Sequence, residues 1–329
     1  MADWDKRKVV VTGAGGFIGS HLVERLLELG ADVTAFVRYN SRNDRGVLGL
    51  DGGRGRPVRV VAGEIRELAT VRRLVKDADV VFHLAALVGI PYSYVHPDEV
   101  VEVNTIGTLN VLTAAKDAGV RRVVVTSTSE VYGSALKVPI GEDHPKQPQS
   151  PYAASKIASD AIALSFHRSF DLPVAVVRPF NTYGPRQSDR AIIPTIISQA
   201  LNKREVTLGN TAPTRDFTYV TDTAEGMLRM GEAAEAVGQE VNLGSGSEIS
   251  IGDLAARIAA IVGADVRVVR SEERVRPAHS EVMRLLADNG KAKRLVGWTP
   301  RVSLDEGLRR TVAWIRDHPA LYDPNAYRV

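Results

Sequence analysis

The chain has 329 residues, 44% of them hydrophobic and 25% charged, and a formal net charge of only +3; it can bury one large α/β unit or two domains, and its dispersed basic residues argue against a nucleic-acid partner. It has no cysteine, which excludes disulfides and thiolate metal sites, and its seven histidines are scattered without a ligand pair, so no metal is expected. The N-terminus lacks the apolar core of a signal peptide and no apolar run could span a bilayer, which makes a cytoplasmic protein without a membrane partner the expectation.

In chain order, strand-like runs at 8–12, 32–37, 58–61, 79–82, 122–127 and 173–177 alternate with helical patterns near 17–29, 66–76, 98–118 and 151–169. Alternation of this kind predicts βαβ units with right-handed crossovers, hence an α/β fold with a Rossmann-type doubly wound parallel sheet. The first strand runs into Gly13-Ala-Gly-Gly16-Phe-Ile-Gly19 and then into an amphipathic helix. Gly13 permits a tight turn, Gly16 lets the backbone approach a pyrophosphate, and Gly19 allows close helix–strand contact. With Phe17 and Ile18, this turn is the expected dinucleotide site. An NAD site usually has an acid after the second strand, to hold the ribose 2′-hydroxyl. Here Ala35 to Arg42 contains none, so Arg38 and Arg42 either bind the 2′-phosphate of NADP or form a solvated basic loop. The Gly-, Arg- and Asp-rich stretch from Asn40 to Pro57 is expected to lie over the cofactor.

Beyond Arg178, short strands near 206–208 and 240–243 and helices at 191–202, 221–234, 250–262 and 304–317 suggest a smaller C-terminal α/β lobe for substrate. The expected division is a dinucleotide-binding domain at 1–177 and a substrate-binding domain at 178–329. The chain crosses between the lobes, and a cleft between them is where a ligand belongs.

Two polar constellations carry the chemistry. Tyr152 and Lys156, in Ser150-Pro-Tyr-Ala-Ala-Ser-Lys156, are four residues apart on a helix and share one face. An ammonium beside a phenol favours the phenolate, which would make Tyr152 a general base for a sugar hydroxyl. Upstream, Val123-Val-Val-Thr126 runs into Ser127-Thr-Ser-Glu130, and the carboxyl end of such a strand faces the ligand crevice. Thr128 can donate to a sugar hydroxyl and Glu130 can move a proton on carbon. The alternative is that Thr128 and Ser129 cap the next turn and Glu130 is solvated.

These motifs, with His83-Leu-Ala-Ala86, Asn104 and Arg178-Pro-Phe-Asn-Thr-Tyr-Gly-Pro-Arg186, together resemble the extended short-chain dehydrogenase/reductase family of nucleotide-sugar epimerases, dehydratases and decarboxylases. Ile90-Pro-Tyr-Ser-Tyr94, Pro213-Thr-Arg-Asp-Phe217 and Arg276-Pro-Ala-His-Ser-Glu-Val282 resemble its 4,6-dehydratases of legionaminic-acid type, which act on nucleotide-linked N-acetylglucosamine. The resemblance implies NAD or NADP held by the Gly turn, Arg38, Glu64, Ile65, Leu84, Ala85, Ala86, Asn104, Tyr152 and Lys156. It implies a nucleotide-sugar substrate (UDP- or GDP-linked) held by Ser93, Thr128, Asn181, Arg186, Arg215 and Arg276, although Arg215 could equally pair with Asp216. It also implies a homodimer built on the helices near 98–118 and 151–169. In this chemistry Tyr152 and Lys156 serve oxidation at C4, Glu130 takes the C5 proton, and water leaves from C6. Glucose 4,6-dehydratases carry an Asp where this chain has Ser129, so Glu130 would serve both proton transfers. A 4-epimerase and a UDP-glucuronate decarboxylase are the alternatives on this scaffold. A non-catalytic dinucleotide sensor is the alternative of another class, disfavoured because the Tyr/Lys pair is kept.

Overall fold

The computed structural model describes residues 4–42, 44–50, 58–203, 205–263, 265–274 and 281–324. The strands are β1 (Lys8–Thr12), β2 (Asp32–Arg38), β3 (Arg59–Gly63), β4 (Val80–His83), β5 (Arg122–Thr126), β6 (Val174–Pro179), β7 (Asn181–Tyr183), β8 (Glu205–Leu208), β9 (Thr214–Arg215), β10 (Phe217–Tyr219), β11 (Glu240–Leu243), β12 (Ile249–Ser250) and β13 (Arg267–Arg270). The helices are α1 (Phe17–Glu28), α2 (Leu68–Val75), α3 (Ile90–Val95), α4 (Pro97–Val101), α5 (Gly107–Ala118), α6 (Pro151–Phe170), α7 (Ile192–Lys203), α8 (Val220–Glu232), α9 (Ile251–Val262), α10 (Gly290–Val296) and α11 (Leu304–Asp317).

Seven strands form one sheet in the order β11-β6-β5-β4-β1-β2-β3, each neighbour parallel. Parallel strands buried on both faces need apolar residues at successive positions, and β1 supplies them. Val9 and Val11 enter the core beneath α1 and α8, while Val10 enters the opposite core beneath α2, α5 and α6. The strand order reverses between β1 and β4, which opens a crevice at their carboxyl ends, where Gly13 and Leu84 begin their loops.

A third core, with Ile193, Ile197, Leu254, Ile258, Leu308 and Val312, holds α7, α9 and α11 together as the second lobe. Residue 178 is no clean divide, because β6 runs through it and the chain then returns twice. Met227 and Leu228 of α8 pack into the core shared with Leu22 and Leu26 of α1, and β11 pairs with β6 at the sheet edge.

Where periodicity predicts one helix over 98–118, the chain forms α4, a π-helical turn at Glu102–Ile106, and α5. One π turn inside a helix inserts a residue without changing the amphipathic pattern enough to be read from sequence. Its consequence is local. Asn104 is turned inward, and Gly107 sits where an added Cβ would lie 2.9 Å from Ile65 Cγ2.

Candidate active site

A cleft of about 1060 Å³ runs from the Gly turn to Arg215, with Tyr152, Lys156 and Glu130 between. At its first end Gly13 takes φ +70°, and an added Cβ would lie 2.8 Å from Ala85 N. On Gly19 a Cβ would stand 2.2 Å from Gly13 O, so only glycine lets α1 start this close to β1. Gly16 is the N-cap of α1, and no side chain caps that first turn; its N–H groups and the helix dipole are available to an anion in the cleft, which Phe17 and Ile18 also line. Val47 N donates to Gly15 O at 2.9 Å, bringing part of the 40–57 segment onto the turn; residues 43 and 51–57 of it lie outside the described residues.

Thr12 Oγ1 accepts from Leu84 N and Ala85 N, both at 3.1 Å, and meets His83 Nδ1 at 2.8 Å. The far ring nitrogen of His83 meets Thr108 Oγ1 at 3.0 Å. Burial, with a smaller push from the Lys156 charge, lowers the His83 pKa to about 3, so this imidazole is a neutral strut joining β1, β4 and α5. Leu84, Ala85 and Ala86 line the cleft above it, and so do Glu64 and Ile65 from the end of β3. Burial pushes the Glu64 carboxyl up, but its hydrogen bonds to Arg66 (3.1 Å to the guanidinium) outweigh this and hold it below its usual range. Arg38 lines the cleft with a side chain 68% exposed, 3.7 Å from Glu99.

At the centre, Ser150 caps α6 by accepting from Ala153 N at 3.1 Å, with Pro151 opening the helix. Tyr152 and Lys156 thereby start one turn apart on the buried face. Lys156 Nζ donates to Thr126 O at 2.6 Å, and burial lowers its pKa to about 8. The phenol departs from the expectation. Burial drives the Tyr152 pKa up, Thr128 opposes this, and Glu130 and Asp160 add to it; Lys156 is not among the causes. Sharing a helix face did not suffice, because the Lys156 ammonium is directed at a β5 carbonyl and the phenol is desolvated. Thr128 does cap the next turn, accepting from Glu130 N at 3.2 Å, yet it also lines the cleft with buried Ser129 and half-buried Glu130. The Glu130 carboxylate has no hydrogen bond or ion pair among the described residues.

At the far end Asn181 and Arg215 line the cleft. Arg215 Nη1 donates to Thr214 O at 2.9 Å, and Nη2 lies 3.4 Å from Glu281. The alternative partner, Asp216, is instead committed to Ser245, Gly246 N and Ala287 N.

Three residues that the sequence assigns to the site do not line the cleft. Arg186 does not reach the cleft; its fully buried guanidinium bonds Glu24 at 2.9 Å and Ser20 at 3.2 Å on α1. Asn104 bonds Leu87 N, Leu87 O and Ser155 Oγ at 2.8–3.0 Å, so it ties the loop after β4 to α6. Ser93 is buried and donates to Ile90 O at 2.7 Å. Arg276 lies outside the described residues. Sequence reasoning missed Arg274 and Glu281 as cleft residues, together with Tyr92 and the 187–191 segment. Arg274 stood in plain view within Ser271-Glu-Glu-Arg274, but as one of many dispersed cations it carried no signal.

Among the described residues no group of acids and histidines could hold a metal ion, and no helix is long and apolar enough to cross a membrane. The family model for GDP-mannose 4,6-dehydratase matches residues 10–311. The chain is similar to a UDP-glucose 4-epimerase of Mycolicibacterium smegmatis, at 36% identity over 94% of this chain and 99% of the relative. It is equally similar to a dTDP-glucose 4,6-dehydratase of Streptomyces griseus, at 36% identity over 96% of each. Among solved structures, the dTDP-glucose 4,6-dehydratase DesIV of Streptomyces venezuelae, with NAD and TYD bound, superimposes with a TM-score of 0.86 at 33% identity, covering 96% of this chain and 99% of that one. A seven-stranded sheet with its glycine turn at the switch point, a Tyr/Lys helix beneath the cleft and these full-length likenesses lead to one conclusion: the chain belongs to the GDP-mannose 4,6-dehydratase family of the extended short-chain dehydrogenase/reductases.

Proposed function

We propose that the protein is an NAD- or NADP-dependent nucleotide-sugar 4,6-dehydratase, acting on a UDP- or GDP-linked N-acetylglucosamine. The observation that carries this reading is Glu130, a carboxylate in the cleft with no ionic partner among the described residues, close enough to Tyr152 for its charge to raise the phenol's pKa. An epimerase needs a base at the C4 hydroxyl only. A dehydratase needs a second one, for carbon.

The site fits a dinucleotide, since the turn's glycines leave no room for a Cβ and the first turn of α1 is uncapped. The Gly turn would hold the diphosphate and Lys156 the nicotinamide ribose. When bound, the nicotinamide supplies the acceptor for hydride from sugar C4 and its return to C6. Tyr152 takes the proton of the C4 hydroxyl, with Thr128 orienting that oxygen. The resulting ketone acidifies C5, from which Glu130 removes the proton. With Ser129 where related dehydratases have an acid, Glu130 would then carry that proton to the departing C6 hydroxyl, which leaves as water, and C5 would take a solvent-derived proton when C6 is reduced. Arg215, Arg274 and Asn181 line the end where a nucleoside diphosphate would lie, and the guanidinium fork suits that charge.

The test is incubation of the purified protein with UDP- and GDP-hexoses, their N-acetylamino forms and UDP-glucuronate, read by mass spectrometry. Loss of one water supports the dehydratase. An unchanged mass with C4 inverted, or loss of carbon dioxide, replaces it with epimerase or decarboxylase.

A further inference from the structure

Behind the cleft lies a cluster of buried charges that this chemistry does not use. Asp160 is on α6, one turn beyond Lys156 and two beyond Tyr152, so the three fall on one helix face. Its side chain is 0% exposed. Its Oδ2 takes both Nε and Nη2 of Arg178, at 3.1 and 2.9 Å, and the Ser127 hydroxyl also favours the carboxylate. Arg178 comes from β6, is fully buried, bonds the Tyr132 hydroxyl at 2.8 Å and pairs with Glu240 of β11. Lys146 closes the group, 2.6 Å from Glu240 and 4.0 Å from Asp160.

Clamping α6 to the sheet does not explain so costly an arrangement, because an apolar pair of similar volume would join the two elements at least as stably. Lys146 and Arg178 already balance Asp160 and Glu240, and Lys156 is a further cation next to the set. The ionisable groups that interact with the Lys156 charge are Asp160, one turn on along its own helix, and His83 from β4. His83 is neutral and β5 presents a carbonyl, so Asp160 is the carboxylate that bears on the ammonium.

We propose that Asp160 is a positioning residue of the reaction, a counter-charge fixed by Arg178 that keeps Lys156 an ammonium in a water-excluded site. Burial alone works against that charge, and Asp160 is what opposes it. Burial outweighs the Arg178 cation and leaves the Asp160 carboxyl above its usual range, while Arg178, a Ser127 hydrogen bond, Lys146 and Lys156 favour its ionised form. The inference rests on the role of Lys156 given under the proposed function, so its test must read Lys156 without depending on turnover.

The experiment is a carbon-13 NMR titration of the lysine Cε signals in the full chain, with Lys156 assigned by the signal that vanishes in Lys156→Arg. Wild type is expected to titrate near pH 8. Asp160→Asn should move that midpoint down by about 1 unit, as expected for removing a nearby opposite charge. Glu240→Gln, which weakens the same buried cluster at a distance from Lys156, should lower the melting temperature but leave the midpoint in place. If Asp160→Asn does not fold, Asp160→Ser, which leaves Arg178 on Tyr132 and Glu240, removes the same charge and carries the same expectation. With an active substrate, the alkaline fall in kcat should move down in parallel, and Asp160→Glu should restore it. A midpoint equal to wild type in the Asp160 variants, or an equal shift in Glu240→Gln, overturns the proposal. Absence of turnover on every nucleotide sugar rejects the dehydratase and leaves the titration to decide the role of Asp160.

Discussion

Replacing Glu130 by Gln separates the steps of the proposed reaction. The amide keeps the shape of the side chain, and Glu130 is half-buried with no ion pair among the described residues, so stability should change by no more than about 0.5 kcal/mol. Its charge is one of the causes that raise the Tyr152 pKa, so its loss lowers the phenol's pKa and should not impair proton removal at the C4 hydroxyl. What disappears is the base at C5. A positioned base contributes ~10²–10⁴-fold, equivalent to about 3–5 kcal/mol of barrier at about 1.4 kcal/mol per tenfold. Glu130→Gln should therefore oxidise C4 and stall. In a single-turnover stopped-flow experiment, the near-ultraviolet absorbance of reduced nicotinamide should rise to a plateau and decay at least about a hundredfold more slowly than in wild type. Wild type run in deuterated water should place one deuterium at C5 of the product. Product that forms with C5 unlabelled, or a variant that turns over without accumulating reduced cofactor, refutes the role of Glu130 and returns the chain to a 4-epimerase.

Further outcomes follow from the same geometry. Tyr152→Phe should lose ~10²–10⁴-fold in kcat with cofactor affinity measured by calorimetry nearly unchanged; more than about a tenth of the wild-type rate contradicts it. Gly19→Ala should abolish cofactor binding, because its Cβ would sit 2.2 Å from Gly13 O and push α1 off the turn; a dissociation constant within about twofold of wild type rejects that. His83 has its pKa depressed to about 3 from 6.5, so the stability tied to its neutral form is present above pH 6.5 and is lost as pH falls toward 3. Within that window the melting curve should drop by about 1.4 kcal/mol per unit, and a His83→Gln variant should lack this component. A homodimer through the α5 and α6 region is expected, and light scattering that gave 35.6 kDa at micromolar concentration would reject it.

The dinucleotide half of the fold is legible because its determinants are local. A β1 whose three valines alternate between two cores must be apolar at its centre, and Gly13 and Gly19 of the turn follow from contacts within a few residues or with the adjoining β4 loop. α3 escaped notice because six residues opening with Ile-Pro give no period, and the π turn because it preserves amphipathicity while rotating Asn104. What the sequence leaves open at the site has one cause, which is that a side chain's destination can be decided far along the chain. Arg186 follows a Gly-Pro pair as a ligand arginine would, but Glu24, 162 residues earlier, takes its guanidinium. Arg215 adjoins Asp216 in sequence, yet the backbone amides of 246 and 287 claim that carboxylate and Glu281 approaches the arginine.

The Tyr/Lys pair shows the limit most sharply. Sequence places the two side chains on one face, but their protonation is set by what buries them: a β5 carbonyl for Lys156, a dry pocket for Tyr152 and a charged cluster reached through Asp160. Burial therefore favours the neutral form of both groups. A phenol poised this high cannot serve as a base at neutral pH until something lowers it. Thr128, by its hydroxyl, favours the phenolate, and Lys156 stands one helical turn away with its Nζ on Thr126 O. The role proposed for Asp160 makes the charge on Lys156 the quantity to measure, and gives a reason for a carboxylate and its arginine in an interior where an apolar pair often packs as well.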